Sequence, residues 1–144
     1  MRIIDALPEH VGQIANLEIE CFSSPWPSEV IGRKLTGGNN VMLAALEGDA
    51  VLGYIGLMHI LDEGYISNIA VSEVHRGQGV ACALVNAMKV RGAELGLSFL
   101  TLEVRTSNRA ARALYTKHGF TEVGRRVGYY EKPTEDALLM TLFL

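Results

Sequence analysis

Cysteine is scarce in this chain of 144 residues, which holds two, Cys21 and Cys82. Two cysteines do not make a disulfide framework, and these lack the Cys/His spacing of a zinc site, so reduced thiols and no metal are expected. Basic charge is also in short supply: 13 Lys and Arg stand against 16 Asp and Glu, a net charge of −3. That balance argues against a nucleic-acid surface, whose footprint is a basic patch. No apolar run approaches the ~20 residues that span a bilayer. The opening Met1-Arg2-Ile3-Ile4-Asp5 has neither a signal-type apolar core nor a transit composition. Repeats, low-complexity segments and linker-like shifts in composition are missing too. A cytoplasmic protein with one domain over 1–144 is the expectation, without membrane or direct nucleic-acid partners; the sequence leaves its oligomeric state open, with a monomer favoured.

What is present is ordinary globular material, 49% hydrophobic and 20% charged, long enough to bury a core without staples. Residues 1–6 read as a strand. Pro8 then stands near the first turn of a helix carrying Val11, Ile14, Ala15 and Leu17 at helical spacing. Residues 21–27, with Pro25 and Pro27, break that helix into a loop. Ser28 is placed to cap a short helix over 29–35, which Gly37-Gly38 ends. Three strand-like runs follow at 41–46, 51–60 and 65–71, separated by Gly48-Asp49 and by Asp62-Glu63-Gly64, an antiparallel meander. A helix over 80–95 is expected to stack Val80, Leu84, Met88 and Leu95 in one stripe. A strand at 99–105, a helix at 108–118 and strand-like pieces at 123–130 and 137–144 complete the pattern. This order predicts an α/β (α+β) fold, a mixed and mostly antiparallel sheet of about seven strands flanked by about four helices.

Chemistry concentrates in two places. The run from Asn68 through Val71 to Ala81 is a strand, a polar turn, a glycine-punctuated loop and a helix start. Such an order cradles phosphates: glycines let the backbone approach closely, successive N–H groups point at the anion, and the helix N-terminus adds partial positive charge. It is not Gly-x-Gly-x-x-Gly, and no Lys-Ser/Thr pair follows the second glycine, so neither nucleotide fingerprint fits. An ordinary strand-to-helix turn with Gly79 at the helix entrance is the plainer alternative. The second place is Phe99–Arg105, whose alternation puts Leu100, Leu102 and Val104 on one face and Thr101, Glu103 and Arg105 on the other. A carboxylate within such a strand is costly unless paired or useful. Glu103 is either a surface partner of Arg105 or a lysine, or a general base that deprotonates an amine before attack. Tyr115, on the helix that Asn108 caps, is either a core tyrosine with a tethered hydroxyl or a general acid for a departing thiolate.

Arg76, Gly79 and Ala81 form Arg-x-x-Gly-x-Ala, which resembles the pyrophosphate loop of the GNAT superfamily of acetyl-CoA-dependent N-acetyltransferases. Ala81 stands where many of its members have glycine. The run Thr101–Asn108, then Ala110-Ala111, Leu114-Tyr115 and His118-Gly119-Phe120 is similar to the bacterial ribosomal-protein-alanine N-acetyltransferases. So are Phe22, Pro25-Trp26, Glu63–Ile66, Tyr129-Tyr130, Pro133 and Glu135–Met140. The resemblance implies that Glu103 is the proton acceptor, Tyr115 the proton donor and Asn108 a contact to the cofactor. It implies further that the backbone of Ile69, Ala70 and Val71 pairs with a pantetheine arm. The loop of Arg76, Gly77, Gln78, Gly79, Val80, Ala81 and Cys82 would then hold the pyrophosphate of acetyl-CoA. The implied acceptor is the N-terminal alanine of a small-subunit ribosomal protein, attacking directly in a ternary complex. Lysine side chains or small amines are the runner-up acceptors, and an acetyl-CoA-binding regulatory domain without turnover is the alternative from another class. Residues 22–27 and 129–136 are the expected walls of a peptide groove. Asp62, Glu63, Glu131, Glu135 and Asp136 are acidic residues that favour a basic peptide.

Overall fold

Alternating apolar residues and helical spacing set most of the elements of this chain. The computed structural model describes residues 1–144. The strands are β1 (Arg2–Asp5), β2 (Asn40–Glu47), β3 (Ala50–Ile60), β4 (Glu63–Val71), β5 (Phe99–Arg105), β6 (Thr121–Tyr130) and β7 (Glu135–Phe143). The helices are α1 (Val11–Cys21), α2 (Ser28–Thr36), α3 (Val80–Glu94) and α4 (Arg109–Lys117), and short 3-10 turns occupy Pro8–His10 and Glu73–His75. The strands form one sheet in the order β1-β2-β3-β4-β5-β7-β6. Every pairing is antiparallel except β4 with β5, the two strands that α3 joins.

Period-2 burial divides the core into two layers. Val41, Leu43 and Ala45 of β2 face the same side as Val80, Leu84, Val85 and Met88 of α3, and this layer continues through Leu100, Leu102 and Val104 to Tyr115 and Phe120. Met42, Ala44 and Leu46 face the other side, where Ile14 and Leu17 of α1 and Ile31 of α2 cover them. No helix is long and apolar enough to cross a membrane.

Three local readings of the sequence change. Ser28 is the first residue of α2 and makes no capping hydrogen bond; Pro27 holds the cap position, where its fixed φ suits the entry and its missing N–H costs nothing. Leu95 does not extend the α3 stripe, because the helix stops at Glu94 and Leu95 is 41% exposed. Glu63 and Gly64 belong to β4, not to the turn, because they pair with both neighbouring strands. In Gly64 a Cβ would fall 2.8–2.9 Å from leucine side chains of the core.

The feature that shapes the molecule's working surface lies in β4. Its parallel pairing with β5 lasts only through Glu63, Gly64 and Tyr65, after which the two strands part. At the same point the register with β3 slips, so that Gly56 and Leu57 oppose Asn68 and Ile66 and Ser67 is left over as a bulge. A bulge bends its strand and increases the local twist. Gly56 makes room for it, since a Cβ there would come 2.9 Å from the Ser67 hydroxyl. The bulge also reverses which face each later residue takes. Ile66, Ile69 and Val71 pack toward α3, whereas Ala70 packs toward α1.

Candidate active site

The gap between β4 and β5 is a cavity of about 550 Å³ that passes between the two core layers. Its lining includes Ile66, Ser67, Asn68 and Ile69 on one strand and Leu102, Glu103, Val104 and Arg105 on the other. Asn108, Ala111 and Tyr115 of the α4 region close it on one face. Phe22 and Trp26 from the α1–α2 loop and Tyr129, Tyr130 and Glu131 from the end of β6 flank it on the other. Because β4 has no strand partner on this side beyond Tyr65, its backbone polar groups there face the gap, ready to pair with an extended ligand.

The glycine loop follows β4 in the chain and opens α3. Gly77 and Gly79 take φ of +77° and +82°, a conformation that side chains disfavour. The helix bonds begin with the Ala83 N–H donating to the Gly79 carbonyl. The N–H groups from Gly77 through Cys82 therefore have no acceptor within the chain, as at any helix start. With the α3 dipole behind them, these free N–H groups have the chemistry that suits an anion. Val80 contributes only its backbone, since its side chain is buried. Arg76 curls back from the loop, donating from Nε to the Val71 carbonyl at 3.3 Å and from Nη2 to Cys21 Sγ at 3.5 Å. Burial pushes the Cys21 thiol up despite that arginine. Cys82 Sγ lies 3.9 Å from Lys117 Nζ.

Glu103 and Tyr115 reach the cavity from opposite faces of the sheet. Glu103 does not pair with Arg105; its Oε1 accepts from Arg126 Nε of β6 at 3.3 Å, and its side chain is 28% exposed. Arg105 is engaged elsewhere. It donates to the carbonyls of Pro133 and Glu131, both at 2.9 Å, pairs with Glu135 at 3.3 Å and stacks over Tyr130 at 4.5 Å. One guanidinium thus pins the β6–β7 turn as a wall of the cavity, using the planar fork that lysine lacks. Glu135 and Asp136 are consumed in the same turn. Hydrogen bonds from Ser107 foremost, with Thr106 and Arg105, hold the Glu135 carboxyl down at about 2, and Asp136 accepts from Gly128 N–H.

Tyr115 is buried to 5% exposure with its ring tilted on Phe120 at 5.6 Å. Desolvation, aided by Tyr130, pushes its phenol well above the ordinary value of 10. The hydroxyl is not tethered to a protein group, and it is not among the buried polar atoms left unpaired, because it opens on the cavity. Tyr130 is pushed up to about 12, by burial first and then by Tyr129 and Glu103. Asn108 does cap α4, accepting from Ala111 N–H at 3.1 Å, and the same residue lines the cavity. Ile69, Glu103, Asn108 and Tyr115 are therefore brought together in one lining, whereas Val71 and the loop from Arg76 to Cys82 lie outside it. Ala70 also lies outside the lining, its side chain buried against the α1 layer, and only its backbone is left to face a ligand.

The sequence reading passed over one residue. Glu18 on α1 is completely buried, and its carboxylate accepts from Trp26 N–H at 2.8 Å, the Tyr54 hydroxyl at 2.6 Å and Asn68 Nδ2 at 3.0 Å. Its signal was available: Val11, Ile14, Glu18 and Cys21 follow helical spacing, so Glu18 is a charge on an apolar stripe.

A model of the acetyltransferase (GNAT) family matches residues 11–120. A putative [ribosomal protein bS18]-alanine N-acetyltransferase of Bacillus subtilis is 33% identical over 133 residues, covering 92% of this chain and 88% of its own. The [ribosomal protein bS18]-alanine N-acetyltransferase of Haemophilus influenzae is 32% identical over 135 residues, covering 92% and 91%. Among solved structures, the ribosomal-protein-S18-alanine N-acetyltransferase of Escherichia coli superposes with a TM-score of 0.91 at 28% identity, over 99% of this chain and 92% of that one. With the family model spanning most of its length and relatives above 30% identity over nine-tenths of it, this chain belongs to the GNAT family of acetyltransferases.

Proposed function

We propose that this protein transfers the acetyl group of acetyl-CoA to the N-terminal α-amine of a protein, the N-terminal alanine of ribosomal protein bS18 being the acceptor that its relatives' names suggest. The observation that carries the reading is the through-sheet gap, with Glu103 on one face and the Tyr115 hydroxyl on the other. Side chains that reach one gap from both faces of the sheet suit two substrates that meet there. Acetyl-CoA supplies an activated acyl group on a thiolate leaving group. The chain fits it: the free β4 edge suits an extended arm, and the Gly77–Cys82 amides suit a pyrophosphate.

In this reading the peptide enters between the Phe22–Trp26 loop and the Tyr129–Glu131 turn. Its α-ammonium, with an ordinary pKa of about 8, must lose a proton before it attacks. Glu103 receives that proton, directly or through water, while Arg126 steadies its carboxylate. Backbone N–H groups of β4 donate to the thioester oxygen as charge builds there. Tyr115 donates toward the departing sulfur. Its raised phenol stays protonated throughout the working pH range, and the same dry surroundings raise the sulfur's affinity for a proton. Cys21 has no base at hand and its thiol is held protonated, so attack without an acyl-cysteine is the consistent route.

Acetyl-CoA and a panel of peptides beginning with Ala, Ser, Thr or Met, read by mass spectrometry for the position of any acetyl group, tests the proposal. Modification of the α-amine, with alanine preferred, is the expected result; acetylation confined to lysine side chains or polyamines would reassign the acceptor.

A further inference from the structure

The chain has 16 acidic residues, and Glu18 is the one whose side chain is wholly buried. Burying a carboxylate is expensive unless its charge is matched, yet Glu18 forms no ion pair. Three neutral donors from three different elements meet it instead: Trp26 N–H in the α1–α2 loop, Tyr54 in β3 and Asn68 in β4. All three are donors, and a carboxylate is the side chain of this length that accepts from every one of them. Trp26 and Asn68 line the cavity. Asn68 reaches Glu18 only because the Ser67 bulge turns it to the α1 face.

We infer that Glu18 is a positioning residue for the acceptor peptide: its carboxylate fastens the Trp26 loop to the bulged strand and so sets the width of the peptide entrance. This rests on the peptide-acetylation reading above. The cofactor side of the gap is untouched by the strut, since the glycine loop and α4 make no contact with Glu18 among its hydrogen-bonding partners. Glu18 acts through Trp26 and Asn68 and takes no part in the chemistry.

The consequence is a split between the two substrates. Glu18→Gln removes the charge and replaces one accepting oxygen with N–H₂. The Tyr54 hydroxyl can turn to accept from it, but Asn68 loses one of its two contacts and the Trp26 anchor weakens to a neutral bond. The expected effect is a rise of about tenfold in peptide KM, the equilibrium worth of one charge-assisted hydrogen bond, with acetyl-CoA KM unchanged within about twofold. Trp26 is the only tryptophan, so its emission reports the loop directly, and it should shift to the red and become more accessible to acrylamide in E18Q. Tyr54→Phe is the control, because it removes a buried donor and leaves the Trp26 link intact. It should lower Tm while leaving peptide KM and Trp26 emission as in the wild type. Should E18Q not fold, Asn68→Ala withdraws the strand from the same carboxylate and should give the same split in smaller measure. Equal changes in both KM values, or E18Q and Y54F behaving alike, would overturn the inference and leave Glu18 a core residue. If the wild-type protein acetylates no peptide, the function proposed above fails on its own; an unshifted Trp26 emission in E18Q then overturns the strut, and a shifted one supports it.

Discussion

Glu103→Gln separates proton removal from every other property of the site. The side chain is 28% exposed and has one ion pair, with Arg126 at 3.3 Å. Exposed pairs of this kind contribute ~0–1 kcal/mol, so the variant should fold with Tm nearly unchanged, and amide replaces carboxylate at equal volume. Acetyl-CoA binding, proposed above for the β4 edge and the glycine loop, should be preserved. Catalysis should not. Loss of a general base costs about 10²–10⁴-fold in rate. An α-amine with pKa of about 8 is roughly one-tenth neutral at pH 7, and E103Q must rely on that fraction and on water. Its residual rate should climb about tenfold between pH 7 and 9 and then level, tracing the titration of the substrate. The assay is the initial rate of thiol release from acetyl-CoA with an alanine-terminated peptide from pH 6 to 10. A rate in E103Q within about threefold of wild type at pH 7 would remove Glu103 from the role of base and leave it the surface partner of Arg126.

Three further outcomes follow from the same geometry. Tyr115→Phe keeps the ring on Phe120 and discards a hydroxyl bound to no protein group, so stability should hold within ~0.5 kcal/mol while kcat falls on the order of 10–10²-fold; with the phenol raised, no descending limb from Tyr115 should appear below pH 10, and a wild-type kcat in the variant would refute the donor role. Gly79→Ala places a side chain at φ +82° with no atom within 4 Å of the new Cβ, a conformational cost of ~1 kcal/mol; acetyl-CoA KM should rise with peptide KM unchanged, and equal rises would argue against the loop as the anion site. His118 is buried with its pKa lowered, by desolvation first and then by Lys89 and Lys117, so the unfolded chain takes up the proton more readily; its contribution is whole above about pH 6.5 and fades as pH falls through the lowered value. Urea titrations between pH 7.5 and 5 should show wild type losing more stability than His118→Gln, and parallel curves would contradict this.

Much of this architecture is legible in residue order because each element obeys a local rule. Leu100, Leu102 and Val104 alternate, Asn108 caps, and glycines stand at positive φ where the chain must turn. The helix crossing from β4 to β5 fixes the one parallel pair. The missing part is what two distant segments do to each other. No pattern in 65–71 announces the Ser67 bulge, and alternation alone would set Asn68 beside Ile66 on the α3 side, not against Glu18. Glu103 carries the opposite lesson. Its strand position was plain, but its partner, Arg126, lies 23 residues away on an edge strand that meets β5 only through β7. The acidic Glu135 and Asp136 read as free charge and are in fact spent on the Arg105 turn.

The central claim, that the gap between β4 and β5 delivers an acetyl group to an α-amine, is met most directly by one peptide carrying both choices: a free N-terminal alanine and an internal lysine. After incubation with acetyl-CoA and wild-type protein, fragmentation mass spectrometry should place the acetyl group on the N-terminus, and none should appear on a copy whose N-terminus is blocked. Acetyl-lysine in both copies, or in neither copy any acetyl group despite bound acetyl-CoA, would contradict it.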